Sequence, residues 1–195
     1  VRLELGSNAP LIVDEGADWA AAADATVLGG FAQAGQSCVS TQRIFVHRAH
    51  AEAFTERLAG RVAALKIGDP LDDTVDVSAV INLGEAERIE EWILEATAQG
   101  ARLVTGGGRE NTVVAPTILA DVTPEMSVQC REVVGPLVTI VAVDSFDEAI
   151  EHANDSVFGL NAGVFTNQLD HALDAIDRLE FGSVYINDEP TVRAD

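Results

Sequence analysis

Cys38 lies in Gly35-Gln36-Ser37-Cys38, among small and polar neighbours. A structural cysteine more commonly sits inside an apolar run, and by frequency alone a lone cysteine reads as a buried core thiol. Nucleophilic attack requires the thiolate. The segment ahead of Cys38 has helical spacing, and a helix ending there presents its negative pole, which does not favour ionisation. Activation must then come from a nearby base or a bound group. The four histidines offer little. His47 and His50 flank an expected strand-to-helix turn, and His152 and His171 fall on helical faces, so all four read as surface or capping residues. A Cys–His hydrolase finds no support in that spacing. A carboxylate is the alternative base, and Glu4 is one candidate among 32 acidic residues.

Other sites leave no trace. The two cysteines, Cys38 and Cys130, form no paired C-x-x-C, so no structural zinc is expected. Nothing favours a disulfide between them, and a reducing, cytoplasmic setting is the simplest expectation. Gly106-Gly107-Gly108 does not fit G-x-G-x-x-G and reads as a turn. Gly29-Gly30, inside a helical pattern, implies close packing of that helix.

The elements that must position Cys38 follow an alternating pattern. Ala9–Val13 reads as a buried strand. Trp19, Ala22, Ala23, Thr26, Val27, Gly30 and Phe31 follow helical spacing, with Gly35 as a stop. Strand 43–47 precedes a helical stripe of Phe54, Leu58, Val62 and Leu65. Residues 68–73 are a loop. Leu83, Ala86, Ile89, Ile93 and Ala96 mark a third helix closed by Gly100. Strands are expected at 102–105, 113–119 and 137–143, then helix 146–154, strand 160–165, helix 168–179 and strand 183–187. Single helices between strands are the pattern of βαβ units. The expectation is a three-layer α/β domain with a largely parallel sheet. In such sheets ligands gather at the carboxyl ends of the strands.

At 195 residues the chain suffices for one domain with a sizeable core. The net charge of −20 is spread along the chain and disfavours nucleic acid and anionic membranes. No run approaches the roughly 18 apolar residues of a membrane helix. Neither end carries a start or stop signature, and both are expected to be cuts through a longer protein.

Several segments together resemble the aldehyde dehydrogenase superfamily. Leu3-Glu4-Leu5-Gly6-Ser7-Asn8-Ala9-Pro10 is similar to the family's E-L-G-G-x-x-P, and Gly35-Gln36-Ser37-Cys38 to its G-Q-x-C. Glu4 and Cys38 are 34 positions apart, the family's offset. Arg131-Glu132-Val133-Val134-Gly135-Pro136 resembles E-x-[FA]-G-P. Glu148 to Leu160 resembles D-E-A-I-x-x-A-N-x-x-x-[YF]-G-L, and Gly182 to Asn187 resembles G-x-V-x-[IV]-N. The likeness runs the length of the chain.

The resemblance implies the αβα catalytic-domain fold over residues 1–195, oxidation of an aldehyde with NAD or NADP, and Cys38 as the nucleophile. It implies Glu4 as general base, a thiohemiacetal and a thioester on Cys38, and an oxyanion contact from the Cys38 N–H. Glu132, Val134, Leu5 and Gly6 match cofactor-binding positions, with Glu132 accepting hydrogen bonds from the nicotinamide ribose. Ser37, Val39, Thr191 and Val192 match positions lining the substrate tunnel. It further implies a separate N-terminal dinucleotide-binding domain supplying most cofactor contacts, a C-terminal oligomerisation hairpin, and a homodimer or homotetramer at full length. This stretch alone is then not expected to complete turnover.

Two positions depart from the pattern. Ser7 replaces the second glycine and is expected to crowd the nicotinamide. Val134 replaces the usual Phe and reduces packing. The ending Asn187-Asp188-Glu189-Pro190-Thr191-Val192-Arg193 is similar to relatives acting on lactaldehyde-like or phosphonoacetaldehyde-like substrates. Ser37, where phosphate-binding relatives often carry a basic residue, points to a small uncharged or hydroxylated aldehyde. A CoA-acylating relative and a non-catalytic assembly module are the competing readings; retention of Glu4 favours water over CoA.

Overall fold

A computed structural model describes residues 6–191. In chain order the elements are β1 (Ala9–Val13), α1 (Trp19–Phe31), a 3-10 turn (Ala32–Gly35), β2 (Thr41–His47), α2 (Arg48–Ala63), α3 (Leu83–Ala98), β3 (Arg102–Thr105), β4 (Arg109–Glu110), β5 (Val113–Val114), β6 (Thr117–Ala120), α4 (Ser127–Cys130), β7 (Leu137–Val143), α5 (Phe146–Asn154), β8 (Asn161–Phe165), α6 (Leu169–Arg178) and β9 (Ser183–Ile186). Seven strands form one sheet in the order β3-β6-β7-β2-β1-β8-β9. Only the β3–β6 pair is antiparallel; the other five pairs are parallel. The expected α/β class with a largely parallel sheet is the architecture found.

The three layers follow from strand alternation. Leu11, Val13, Ile44 and Val46 join one core with Ala22, Phe31, Phe54, Leu58, Ile89 and Ile93 of α1, α2 and α3. Their neighbours Ile12 and Phe45, with Ala162 and Val164, join a second core with Phe146, Ile150 and Ala175 of α5 and α6. Full burial of each large apolar side chain contributes about 1.5–3 kcal/mol. Both faces of β1 are therefore covered, and its five residues are all buried.

Local chemistry sets the helix starts. Asp18, Asn82 and Ser145 cap α1, α3 and α5 by accepting from the N–H groups of Ala21, Glu85 and Glu148. One expected strand is split: residues 113–119 form β5 and β6 with Ala115-Pro116 between them. Pro116 has no N–H to give to a ladder, which explains the break. Two residues of the glycine run, Gly106 and Gly107, have φ of +78° and +90°, as a turn requires.

Candidate active site

The candidate residues collect at the amino ends of the strands, which corrects the expectation of a carboxyl-end site. Gly6 and Ser7 precede β1, Ser37, Cys38 and Val39 precede β2, and Glu132 and Val134 precede β7. β1, β2 and β7 are neighbours in the sheet. Three loops therefore meet at one edge of the molecule.

The cysteine loop is shaped by a left-handed backbone. Gln33, Ala34 and Gly35 have φ of +53°, +56° and +67°, each non-glycine costing about 1–2 kcal/mol. Gly35 is required twice over, because a Cβ there would lie 2.1 Å from the Gly135 carbonyl oxygen. Gln36 anchors the loop: its Nε2 donates to Gln33 O at 3.1 Å, and its Oε1 accepts from Ile81 N at 2.8 Å. Ser40 N donates to Ser37 O at 3.0 Å, closing a turn around Cys38. Cys38 is exposed and free, as is Cys130. A buried core thiol, the frequency-based expectation, is thereby excluded.

Glu132 is fixed from three sides. Its Oε1 accepts from Ser7 N at 2.8 Å. Its Oε2 lies 2.6 Å from where a Cβ on Gly6 would stand, so a side chain there would push the carboxylate out of this position. Gln42, buried at the start of β2, clasps the backbone around it. Gln42 Nε2 donates to Val128 O at 3.0 Å and Arg131 O at 2.7 Å, and Gln42 Oε1 accepts from Val133 N at 3.0 Å. Arg88 Nη2 adds a bond to Val133 O, while its guanidinium lies 4.4 Å from the Trp92 ring centroid. Val134 has φ +51°, a rare conformation for a β-branched residue, and is 39% exposed.

Arg43 ties the amino end of β1 to α5. It is almost wholly buried and donates to Asn8 O at 2.9 Å, His152 O at 3.0 Å and Ala153 O at 2.9 Å. Burial pulls its pKa down to about 10, opposed by Asp155, so it stays charged at neutral pH. The two α5 carbonyls lie at the negative end of that helix, where a cation is favoured.

A pocket opens between these loops, lined by Ser7, Ser37, Thr41, Glu132, Val134 and Gly135 among others. Cys38 and Val39 occupy the same turn as Ser37 without lining that pocket. Thr191 lies on the segment after β9, its carbonyl accepting from the Tyr185 hydroxyl at 2.9 Å. That segment runs back over α1: Glu189 Cγ is 2.9 Å from the position a Gly29 Cβ would take. The structure thus brings Ser7, Gly6, Ser37, Glu132 and Val134 together. Glu4, Leu5, Val192 and Arg193 lie outside the described residues. Gln36 appears in the sequence reading only as part of the G-Q-x-C match, and Thr41, Gln42 and Arg43 have no role in the site from sequence. Their signal is a polar run, Thr41 to Arg43, opening a strand buried on both faces. Among the described residues no group of three or more His, Cys, Asp or Glu is placed to hold a metal ion.

A small-residue turn presenting an exposed thiol beside a clasped glutamate, on a three-layer parallel sheet, defines the class. The aldehyde dehydrogenase family model matches residues 1–195, and the chain belongs to that family. It is 43% identical over 195 residues to a 3-sulfolactaldehyde dehydrogenase of Priestia aryabhattai, covering all of this chain and 41% of that protein. It is 38% identical over 195 residues to a lactaldehyde dehydrogenase of Methanococcus aeolicus, covering all of this chain and 42% of that one. The crystal structure of Escherichia coli lactaldehyde dehydrogenase superposes with a TM-score of 0.94 at 36% identity, over 98% of this chain and 41% of that one. A glyceraldehyde-3-phosphate dehydrogenase of Methanocaldococcus jannaschii, solved with NADP, has a TM-score of 0.94 at 35% identity, over 98% of this chain and 41% of that one. The chain spans about two fifths of the length of these relatives.

Proposed function

We propose that this chain carries the catalytic half of an NAD(P)-dependent aldehyde dehydrogenase that oxidises a small aldehyde to its carboxylate. The observation that carries this is the exposed Cys38 at the amino end of β2, adjoining the pocket in which Glu132 is fixed. The pocket suits a nicotinamide nucleotide. Glu132 offers a held acceptor, Gly6 leaves the close approach a Cβ would fill, and the buried Ser7 hydroxyl has no partner among the described residues. Glu132, Val134, Leu5 and Gly6 would hold the nicotinamide end. NAD(P), when bound, supplies a hydride acceptor.

Glu4 takes the Cys38 thiol proton, and Sγ attacks the aldehyde carbon as the C=O π bond opens, forming a thiohemiacetal oxyanion to which the Cys38 N–H donates. Loss of hydride from that carbon leaves a thioester on Cys38. Water, deprotonated by Glu4, attacks the thioester carbon; the C–S bond breaks, the acid leaves and the thiol is restored. Ser37, Val39, Thr191 and Val192 would contact the substrate in this reading. Ser37 beside the nucleophile favours an uncharged, hydroxylated aldehyde such as lactaldehyde. The 43% identity to a sulfolactaldehyde dehydrogenase favours an anionic one as the second reading. At full length the protein is a homodimer or homotetramer, and residues 1–195 alone do not turn over.

The test is an aldehyde panel on the full-length protein with both nucleotides, quantifying acid product with and without CoA. Acid formation without CoA, lost in Cys38→Ser and cut by more than about 100-fold in Glu4→Gln, is expected. Full activity in Cys38→Ser overturns the mechanism. Sulfolactaldehyde outrunning lactaldehyde in kcat/KM selects the second reading.

A further inference from the structure

Helix α3 reaches both loops of the site. Its core face, Ala86, Ile89, Ile93 and Ala96, is buried and fixes the helix in the fold. A second stripe, Arg88, Trp92 and Glu95, recurs at i, i+4 and i+7 and so lies along one side of the helix. The segment that carries Glu132 runs along that stripe. Ser127 Oγ donates to Glu95 Oε2 at 3.1 Å, and the Arg131 guanidinium lies 5.8 Å from the Trp92 ring centroid. Val133 O accepts from Arg88 Nη2 at 2.5 Å. Gly135 then abuts α3 directly, since a Cβ there would lie 2.4 Å from Ile89 Cδ1. At its other end the approach to α3 grips the cysteine loop, where Gln36 Oε1 accepts from Ile81 N at 2.8 Å.

Arg88 is held in one orientation. Its Nε and Nη2 both donate to Glu85 Oε2, at 2.9 and 2.6 Å, and its guanidinium lies 4.4 Å from the Trp92 ring centroid. A carboxylate at one edge and an aromatic face beside it fix the plane of the fork. Val133, next to Glu132, is thereby taken from two sides: its N–H by Gln42 Oε1 and its carbonyl by Arg88. Stability alone does not call for an arginine here. Arg88 Nη1 is buried with no partner among the described residues, a cost that an apolar side chain of similar length would not carry.

We propose that Arg88 is a positioning residue: through it, α3 sets where the Glu132 carboxylate stands relative to the Cys38 loop, and with that the grip on the nicotinamide end of NAD(P). This rests on the dehydrogenase reading above. Arg88 is not among the residues lining the pocket beside Glu132, and it acts through Val133.

The test uses the full-length protein and two probes: NADH or NADPH, whichever binds, followed by its fluorescence, and ADP-ribose, which lacks the nicotinamide, followed by calorimetry. Arg88→Met keeps the length and removes every donor. It should raise Kd for the reduced nucleotide by about 2- to 10-fold, the range of one hydrogen bond, and leave Kd for ADP-ribose unchanged. Arg88→Lys, which keeps a cationic donor, should recover part of the loss. Glu85→Gln removes only the charge that aims Arg88 and should weaken the reduced nucleotide in the same direction by a smaller factor; it serves as the readout if Arg88→Met does not fold. The proposal falls if Arg88→Met, or Glu85→Gln in its place, binds the reduced nucleotide as tightly as wild type. It falls equally if the variants lose both probes alike, as a general loosening of the fold would cause, or if Arg88→Lys is no better than Arg88→Met. Wild-type protein that binds neither probe overturns the dehydrogenase reading and this proposal with it. Binding of both probes with no response to the variants overturns this proposal alone.

Discussion

Gln42 shows how one residue can govern a site it does not itself form. Its three bonds hold the carbonyls of Val128 and Arg131 and the N–H of Val133, the backbone on either side of Glu132. Gln42→Leu leaves buried backbone groups unpaired and is expected to cost about 1–3 kcal/mol or more in urea unfolding. In the full-length protein it should raise KM for NAD(P) more than it lowers kcat, because Glu132 loses its placement while Cys38 keeps its own. An unchanged KM would show that Glu132 needs no clasp. Val134 makes the opposite case. A β-branched side chain at φ +51° is strained, and Val134→Asn, which tolerates that region, should stabilise by about 1 kcal/mol. A denaturation midpoint that falls instead would mean the valine side chain contributes more than its backbone costs. At this scale the sequence showed the types and offsets of Glu4, Cys38 and Glu132. It did not show the clasp, because a glutamine at a strand start has no signature until the strand's neighbours are known.

The elements were more legible than the end of the sheet that carries chemistry. Short, β-branched apolar runs such as Ala9–Val13 and Leu137–Val143 read as strands covered on both faces; the first is wholly buried and the second buried at five of its seven residues. Strand order depends on long-range pairing and is hidden from local pattern, so the gathering of loops at the amino ends was not legible. The carboxyl ends of β1 and β8 hold a different construction. Asp14, with its side chain 2% exposed, accepts from the Thr166 hydroxyl at 2.6 Å and from Glu15 N at 2.8 Å, and meets His171 Nδ1 at 2.7 Å. His171 stacks on Phe146 with ring centroids 4.3 Å apart. Burial alone would raise the Asp14 pKa, but the bonds from Thr166, His171 and Glu15 together outweigh it and hold the carboxyl below its ordinary 3.8. A carboxyl with a lowered folded-state pKa stabilises the fold above the unfolded-state value and ceases to do so as pH falls through the folded one. Asp14→Asn should therefore lower the melting temperature at pH 7, and the gap to wild type should narrow below about pH 4. A gap that stays constant from pH 7 to pH 3 would assign the loss to packing and not to charge.

Across its 195 residues this chain carries 32 acidic and 12 basic residues, for a net charge of −20. Two electrostatic effects oppose each other on its surface. Ion pairs such as Arg57–Asp24, Arg102–Asp121 and Arg178–Asp147 are attractive, yet they sit largely in solvent and each contributes about 0–1 kcal/mol. The remaining acidic residues repel one another in the compact state more than in the extended chain. Salt weakens both effects, so its net sign reports which is larger. With 32 acids and only 12 bases, most carboxylates have no cation to pair with, and repulsion should dominate. Raising ionic strength from about 0.01 M to about 1 M shrinks the screening length from about 30 Å to about 3 Å, below the spacing of most surface charges. The thermal midpoint at pH 7 should therefore rise with sodium chloride, steeply at first and then level off. The rise should shrink near the isoelectric point of about 4.3, where the net charge vanishes. A midpoint that falls with salt at pH 7 would mean that the surface ion pairs, few as they are, outweigh the repulsion of the whole.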